Sequence, residues 1–327
     1  MAGPTRWLIA VVALLFSTIS HADTSTELVR ELRAGIEQAN QTGAAVVTLG
    51  GRYDIERPIK VSSHNGTADF PRLSGVLTVD ARAASFHVQS RVGFVFEGTA
   101  RPQGKHARIL FDGGRIHGGE IAIRCVDLMS SSIAPYSIEG ADVGIQCCIF
   151  RSWSENCGYG GMPGREMYGR RCRRILEFYG REDSWKLLGK PKDPIERDLK
   201  FESYAGTTIS DIVIAGATDP TVDGQVIFAK SAAIYRSTIE RIRGNTPNGG
   251  GSLVWSDCPY WRATAIRDIA VETANKPDRP RSAAVRFAAK LTARPSDLHN
   301  IFWMGGQADP IDWGENEPGD SNKRGKR

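Results

Sequence analysis

Ile209-Ser210-Asp211-Ile212, Ile239-Glu240-Arg241-Ile242, Ile266-Arg267-Asp268-Ile269 and Leu298-His299-Asn300-Ile301 are four copies of one pattern: an apolar residue, two polar ones and an isoleucine. Ahead of the last three copies stand the apolar triplets Val226-Ile227-Phe228, Leu253-Val254-Trp255 and Val285-Arg286-Phe287, each starting 13 residues before its partner element. The triplets themselves begin 27 and 32 residues apart. A fixed core spacing with variable insertions marks stacked repeats, because insertions fall into loops while the stacked strands must stay in register.

The units hold short β-rich pieces divided by turns, with no ten-residue helical pattern, which disfavours leucine-rich and helical repeats. An all-β architecture follows, a right-handed parallel β-helix whose coils lie about 4.8 Å apart and align equivalent side chains in columns. The register predicts an inward column of Ile212, Ile242, Ile269 and Ile301. Their predecessors Asp211, Arg241, Asp268 and Asn300 should make an outward column, in which unlike charges alternate where like ones would repel.

Earlier coils are less regular. Strands are expected at Phe94-Val95-Phe96, Ile109-Leu110-Phe111, Ile121-Ala122-Ile123, around Ile133 and Ile138, and at Val143-Gly144-Ile145; the step of 22 from Ile121 to Val143 fits one coil. Residues 151–206 interrupt the pattern with a Gly-rich loop, an arginine cluster and a mixed-charge stretch, and read as a long loop excursion, a favoured place for function. At the other end, Thr24-Ser25-Thr26-Glu27 has the capping-box form, and Leu28, Leu32, Ile36 and Ala39 share one helical face. The expected organisation is a signal peptide over 1–22, a capping helix over 23–43, the β-helix over 44–305 and a disordered polar tail over 306–327.

Arg6, the apolar run Trp7–Phe16 and Ser20-His21-Ala22 have the form of an exported leader, and the run is too short for a permanent anchor. The protein is therefore expected in the periplasm or secreted, with no membrane anchor after cleavage. Formal net charge is +5, too mild to imply nucleic acid. Six cysteines allow disulfides in an oxidising compartment or a buried thiol stack, and the one-coil separations Cys125–Cys147 and Cys147–Cys172 suit the latter. No CxxC or histidine spacing marks a metal site, and no cofactor is expected. The oligomeric state is not legible.

The stretch Leu28–Val61, with its helix, the segment Gly43-Ala44-Ala45-Val46-Val47-Thr48-Leu49-Gly50-Gly51-Arg52-Tyr53-Asp54-Ile55, and Val143-Gly144-Ile145 before Trp153-Ser154-Glu155-Asn156, resembles the pectin-lyase-like superfamily of parallel β-helices. That group includes pectate lyases, polygalacturonases and tailspike glycan depolymerases. The resemblance implies an exported protein acting on an acidic polysaccharide by lyase or glycoside-hydrolase chemistry. It is a likeness of fold: the paired aspartates and the Arg/Pro signature of its enzymes do not stand out, so no catalytic residue carries over and fold alone gives no function. A non-catalytic glycan-binding protein and a structural spacer are the rivals.

Three groups are candidate sites. Arg170, Arg171 and Arg173, with Arg165 and Arg174 beside them, offer guanidinium forks for uronate or sulfate groups, or else a solvated face paired with the acids of the next loop. Trp153 and Trp185 offer sugar-stacking rings or local core, and Glu155 offers an acid or base, or else stabilises a turn. Arg115, His117 and Glu120 alternate with apolar Ile116 and Ile121 and would point outward together, as parts of a site or else as ordinary exposed strand residues. A base beside a cation is what proton abstraction next to a uronate carboxylate requires.

Overall fold

The computed structural model describes residues 24–98, 107–151, 153–192, 203–215, 225–230, 233–244, 252–271, 283–303 and 310–316. Short strands stack in parallel into a solenoid with sheets of twelve, nine and three strands. The expected isoleucine column is present: Ile212 pairs with Ile242, Ile242 with Ile269 and Ile269 with Ile301. The first three are fully buried and Ile301, in the last coil of that sheet, is partly buried.

The nine-stranded sheet repeats the principle on a second face. Ile59, Phe94, Ile123, Ile145, Leu176, Ile227, Val254, Val285 and Ile311 are paired each to the next, a column nine coils deep. Beside it run Val61, Phe96, Cys125, Cys147, Phe178, Ala229, Ser256 and Phe287. Each strand alternates these inward residues with outward ones, as the two-residue period of a strand requires.

The other expected column has a more particular geometry. Asp211, Arg241, Asp268 and Asn300 all take left-handed backbone, with φ of 57°, 54°, 56° and 51°. Asp and Asn tolerate that region better than other non-glycine residues. Arg241 donates to both carboxylate oxygens of Asp211, at 2.7 and 2.9 Å, and Asn300 donates to Asp268 at 2.9 Å. The corner thus repeats at one sequence position in four successive coils.

Helix α1, Thr24–Thr42, buries Leu28, Leu32, Ile36 and Ala39 over the first coil. The approach is close enough that a Cβ on Gly75 would lie 2.2 Å from the Ala39 carbonyl oxygen. A second helix, α2, Arg181–Leu188, follows the strand Arg174–Tyr179. Among the described residues no helix is long and apolar enough to cross a membrane.

Several expectations need correction. Among the described residues of 151–206, strands at Ser154–Glu155, Gly158–Gly160, Met167–Arg170, Arg174–Tyr179 and Ser203–Ala205 belong to the stack. Glycines and arginines there obscure an alternation that the burial of Met167 and Gly169 against exposed Tyr168 and Arg170 makes plain. The stack also continues past 305, where Ile311–Asp312 pairs with Val285 and Arg286 and Trp313 stacks on Phe287 at 5.2 Å. Val285 stands opposite Val254 and not Leu253, so the third triplet is shifted by one residue, with Arg286 in the outward column. The leader over 1–22 and the tail over 317–327 lie outside the described residues.

All six cysteines are free and buried. Cys125 and Cys147 face each other across one coil as expected, but the next in their column is Phe178, not Cys172. Burial pushes Cys148 and Cys258 up to about 12 and Cys172 to about 11, which keeps these thiols protonated and inert.

Truncating one member of the isoleucine column should cost more inside the stack than at its end. Ile242→Ala is expected to destabilise by about 3 kcal/mol, the usual scale for a buried large-to-small change. Ile301→Ala should cost less than half of that in urea denaturation, and equal losses would contradict the graded burial.

Candidate functional site

The strand Arg115–Gly118 is set by Gly113 and Gly114, with φ of 82° and 84°, a backbone that other residues seldom adopt. Because Ile116 is buried, Arg115 and His117 project from the opposite face. Stacking extends each into a column. One runs Arg52, Ser85, Arg115, Ser137, Tyr168, and the other Asp54, His87, His117, Glu139, Arg170. Between them lie the inward residues Tyr53, Phe86, Ile116, Ile138 and Gly169.

Ser85, Arg115, Ser137 and Tyr168 of the first column and His117, Glu139 and Arg170 of the second floor a groove of about 900 Å³. Its wall is the turn Met162-Pro163-Gly164-Arg165, closed by mutual backbone hydrogen bonds of 2.8 and 2.7 Å, with Pro and a left-handed Gly (φ 78°) at its tip. Arg165 and Glu166 carry the wall to the floor. The Arg165 guanidinium pairs with Asp112, donates to the Ala134 carbonyl at 3.3 Å and lies 4.7 Å over the Tyr136 ring. Glu166 accepts from Arg243 at 3.0 and 2.9 Å and from the Tyr168 hydroxyl at 3.3 Å.

Most charges in and around the groove are thus committed. The Arg243 fork holds the Glu166 carboxyl below the usual carboxylate range. For Asp211, which also lines the groove, burial opposes ionisation, but hydrogen bonds from Arg241 and Ser210 outweigh it and the carboxyl is likewise held low. The exceptions are central. His117 and Glu139 approach at 3.7 Å, and the His87 and His117 rings stack at 5.1 Å. Burial, with the neighbouring Arg52 and His117 charges, lowers the His87 pKa against the pull of Asp54. Arg115 makes no ion pair or hydrogen bond to any described residue, and Arg170 only lies 5.7 Å over the Tyr168 ring.

Of the residues anticipated from sequence, the groove gathers Arg115, His117, Arg165 and Arg170. Arg171 sits at the following turn with φ 51°, Arg173 precedes the next strand, and Arg174 donates to Glu177 at 2.7 Å on the nine-stranded sheet. The arginine cluster is therefore divided by a corner of the solenoid. Glu155 lies in the three-stranded sheet opposite Ala205, where it accepts from the Trp153 indole at 3.2 Å, and neither lines the groove. Trp185 pins α2 to the stack through its indole and the Phe150 carbonyl at 2.7 Å, with Arg181 and Lys190 over its ring. Glu120 pairs with Arg91 and not with His117.

Sequence reasoning missed Glu139, Tyr136, Tyr168 and His87. The signal for Glu139 was present: the 22-residue step from Ile121 to Val143 also carries His117 to Glu139. Among the described residues no cluster of histidine, cysteine and carboxylate side chains could hold a metal ion. Comparison with protein-family models, curated proteins and solved structures found no match.

Asp211 supplies a test of the ion-paired rim. Its folded pKa lies below its unfolded value, so it contributes stability above roughly pH 4 that is lost as pH falls through the folded pKa. Asp211→Asn should keep the left-handed corner yet remove this part of the acid dependence. Thermal melts from pH 7 to pH 3 read the difference, and identical profiles for the two proteins would contradict it.

Proposed function

We propose that this chain is an exported protein that binds an acidic polysaccharide in the groove and cleaves it by β-elimination. The observation carrying this reading is the pair of guanidiniums without a carboxylate partner, Arg115 and Arg170, on either side of the His117–Glu139 pair. Unpaired arginine forks suit carboxylate or sulfate groups, which they bind through two parallel hydrogen bonds.

In this scheme Arg115 holds the uronate carboxylate of the reacting sugar. His117, two residues on and on the same face, takes the proton from the carbon bearing that carboxylate. The electron pair moves into the carboxylate as a dianion steadied by Arg115, then returns to form a double bond to the neighbouring ring carbon as that carbon's bond to the glycosidic oxygen breaks, and the departing oxygen takes a proton from water. Glu139 is the carboxylate facing the imidazole, 3.7 Å from its Nδ1.

Hydrolysis with two carboxylates fits less well. A general acid must be protonated when it acts, whereas Glu166 and Asp211 are held ionised by arginines and Asp112 is paired to Arg165, so beside Glu139 the described groove residues offer no second carboxylate free of an arginine. The rival of a binding protein without catalysis is separated by product chemistry.

Incubation with uronic-acid polymers should generate the ultraviolet absorbance of an unsaturated product. His117→Ala should lower its rate by roughly 100-fold or more, the scale of a general base. Arg115→Ala should lower the rate and weaken binding together. New reducing ends without absorbance would replace elimination by hydrolysis, and binding with neither would leave a glycan-binding protein.

A further inference from the structure

We infer that the groove selects a polymer whose anionic groups recur on every second sugar, in preference to one charged at every sugar. This rests on the acidic-polysaccharide reading and sharpens it to a substrate class. Arg115 stands opposite Ser137, and Arg170 stands opposite Glu139 from the far side. The two guanidiniums are therefore two coils apart, a rise of roughly 10 Å along the stack. The coil between them offers Ser137 and Glu139, one neutral and one anionic.

That middle coil makes the distinction. A chain with a carboxylate on each sugar, laid along the columns, brings a further carboxylate over Ser137 and Glu139, beyond the two that Arg115 and Arg170 take. Unlike the other acids of the groove, Glu139 has no arginine partner; its contact is His117 at 3.7 Å. A chain alternating acidic and neutral sugars places its charges at Arg115 and Arg170 and a neutral ring over Ser137 and Glu139. There a carboxylate accepts hydrogen bonds from sugar hydroxyls at no electrostatic cost. The exposed Tyr168 ring, opposite Ser137 in the next coil, adds an apolar surface with a hydroxyl at its edge, suited to an uncharged sugar.

The test compares octasaccharides of equal length by calorimetry. Hyaluronan and desulfated chondroitin alternate glucuronate with an N-acetylated sugar, and oligogalacturonate carries a carboxylate on every ring. The alternating ligands are expected to bind at least tenfold tighter although they carry half the charge. Glu139→Gln should raise affinity for oligogalacturonate and narrow that gap, while Arg170→Ala weakens the alternating ligands. Equal or tighter binding of oligogalacturonate, or a gap unmoved by Glu139→Gln, would overturn the alternation and leave the acidic-polysaccharide reading standing. Failure of all three ligands to bind would remove both.

Discussion

Backbone pairing between successive coils is the constraint from which the rest follows. Each coil offers its neighbour a row of donors and acceptors that must be met in register, since unpaired buried peptide groups are costly. Equivalent residues are thereby forced into columns about 4.8 Å apart, and the chemistry of a column is fixed once its members are known. The nine-deep apolar column and the ion-paired corner at Asp211 and Arg241 are two results of the same constraint. The groove is a third, because His117 and Glu139 are 22 residues apart in the chain and neighbours in space.

Charge is distributed along these columns in a way that separates scaffold from site. Asp80 with Arg82, Asp112 with Arg165, Glu166 with Arg243 and Asp211 with Arg241 satisfy one another and shape the rim. Such exposed or half-exposed pairs add little to stability individually. Their effect is to fix which charges remain: Arg115, Arg170, the two stacked histidines and Glu139. Those five are presented by strands whose inward neighbours are buried, so the backbone beneath them is rigid.

Much of the architecture was legible because the isoleucine pattern repeats at a nearly constant interval and needs no long-range information. Where legibility failed, one strand residue was the cause. Val285-Arg286-Phe287 was aligned by its first apolar residue, although polar Arg286 belongs in the outward column opposite Trp255. In 151–206 glycine and arginine take half the positions of Met167–Arg170, and the arginine run from Arg170 to Arg174 draws the eye from the apolar Ile175, Leu176 and Phe178 of Arg174–Tyr179, so both strands read as loop. The candidate site was half visible. Arg115 and His117 follow from alternation around buried Ile116, but Glu139 and Tyr168 join them only through coil pairing. Trp153 and Glu155 attracted attention by residue type, yet their hydrogen bond ties them to each other on a different sheet.

The two ends of the stack are not alike. Helix α1 seals the first coil with four fully or nearly fully buried apolar residues, whereas in the last coil of the twelve-stranded sheet Ile301 is only partly covered and Phe302 is 55% exposed. In a one-dimensional array each unit leans on its neighbours, so the less covered terminus frays first. On the twelve-stranded face, opening is therefore expected to run from the carboxyl side toward the helix, and the coils bearing His87, His117 and Glu139 lie near the helix-capped end. The groove thus sits where thermal opening is expected to arrive last.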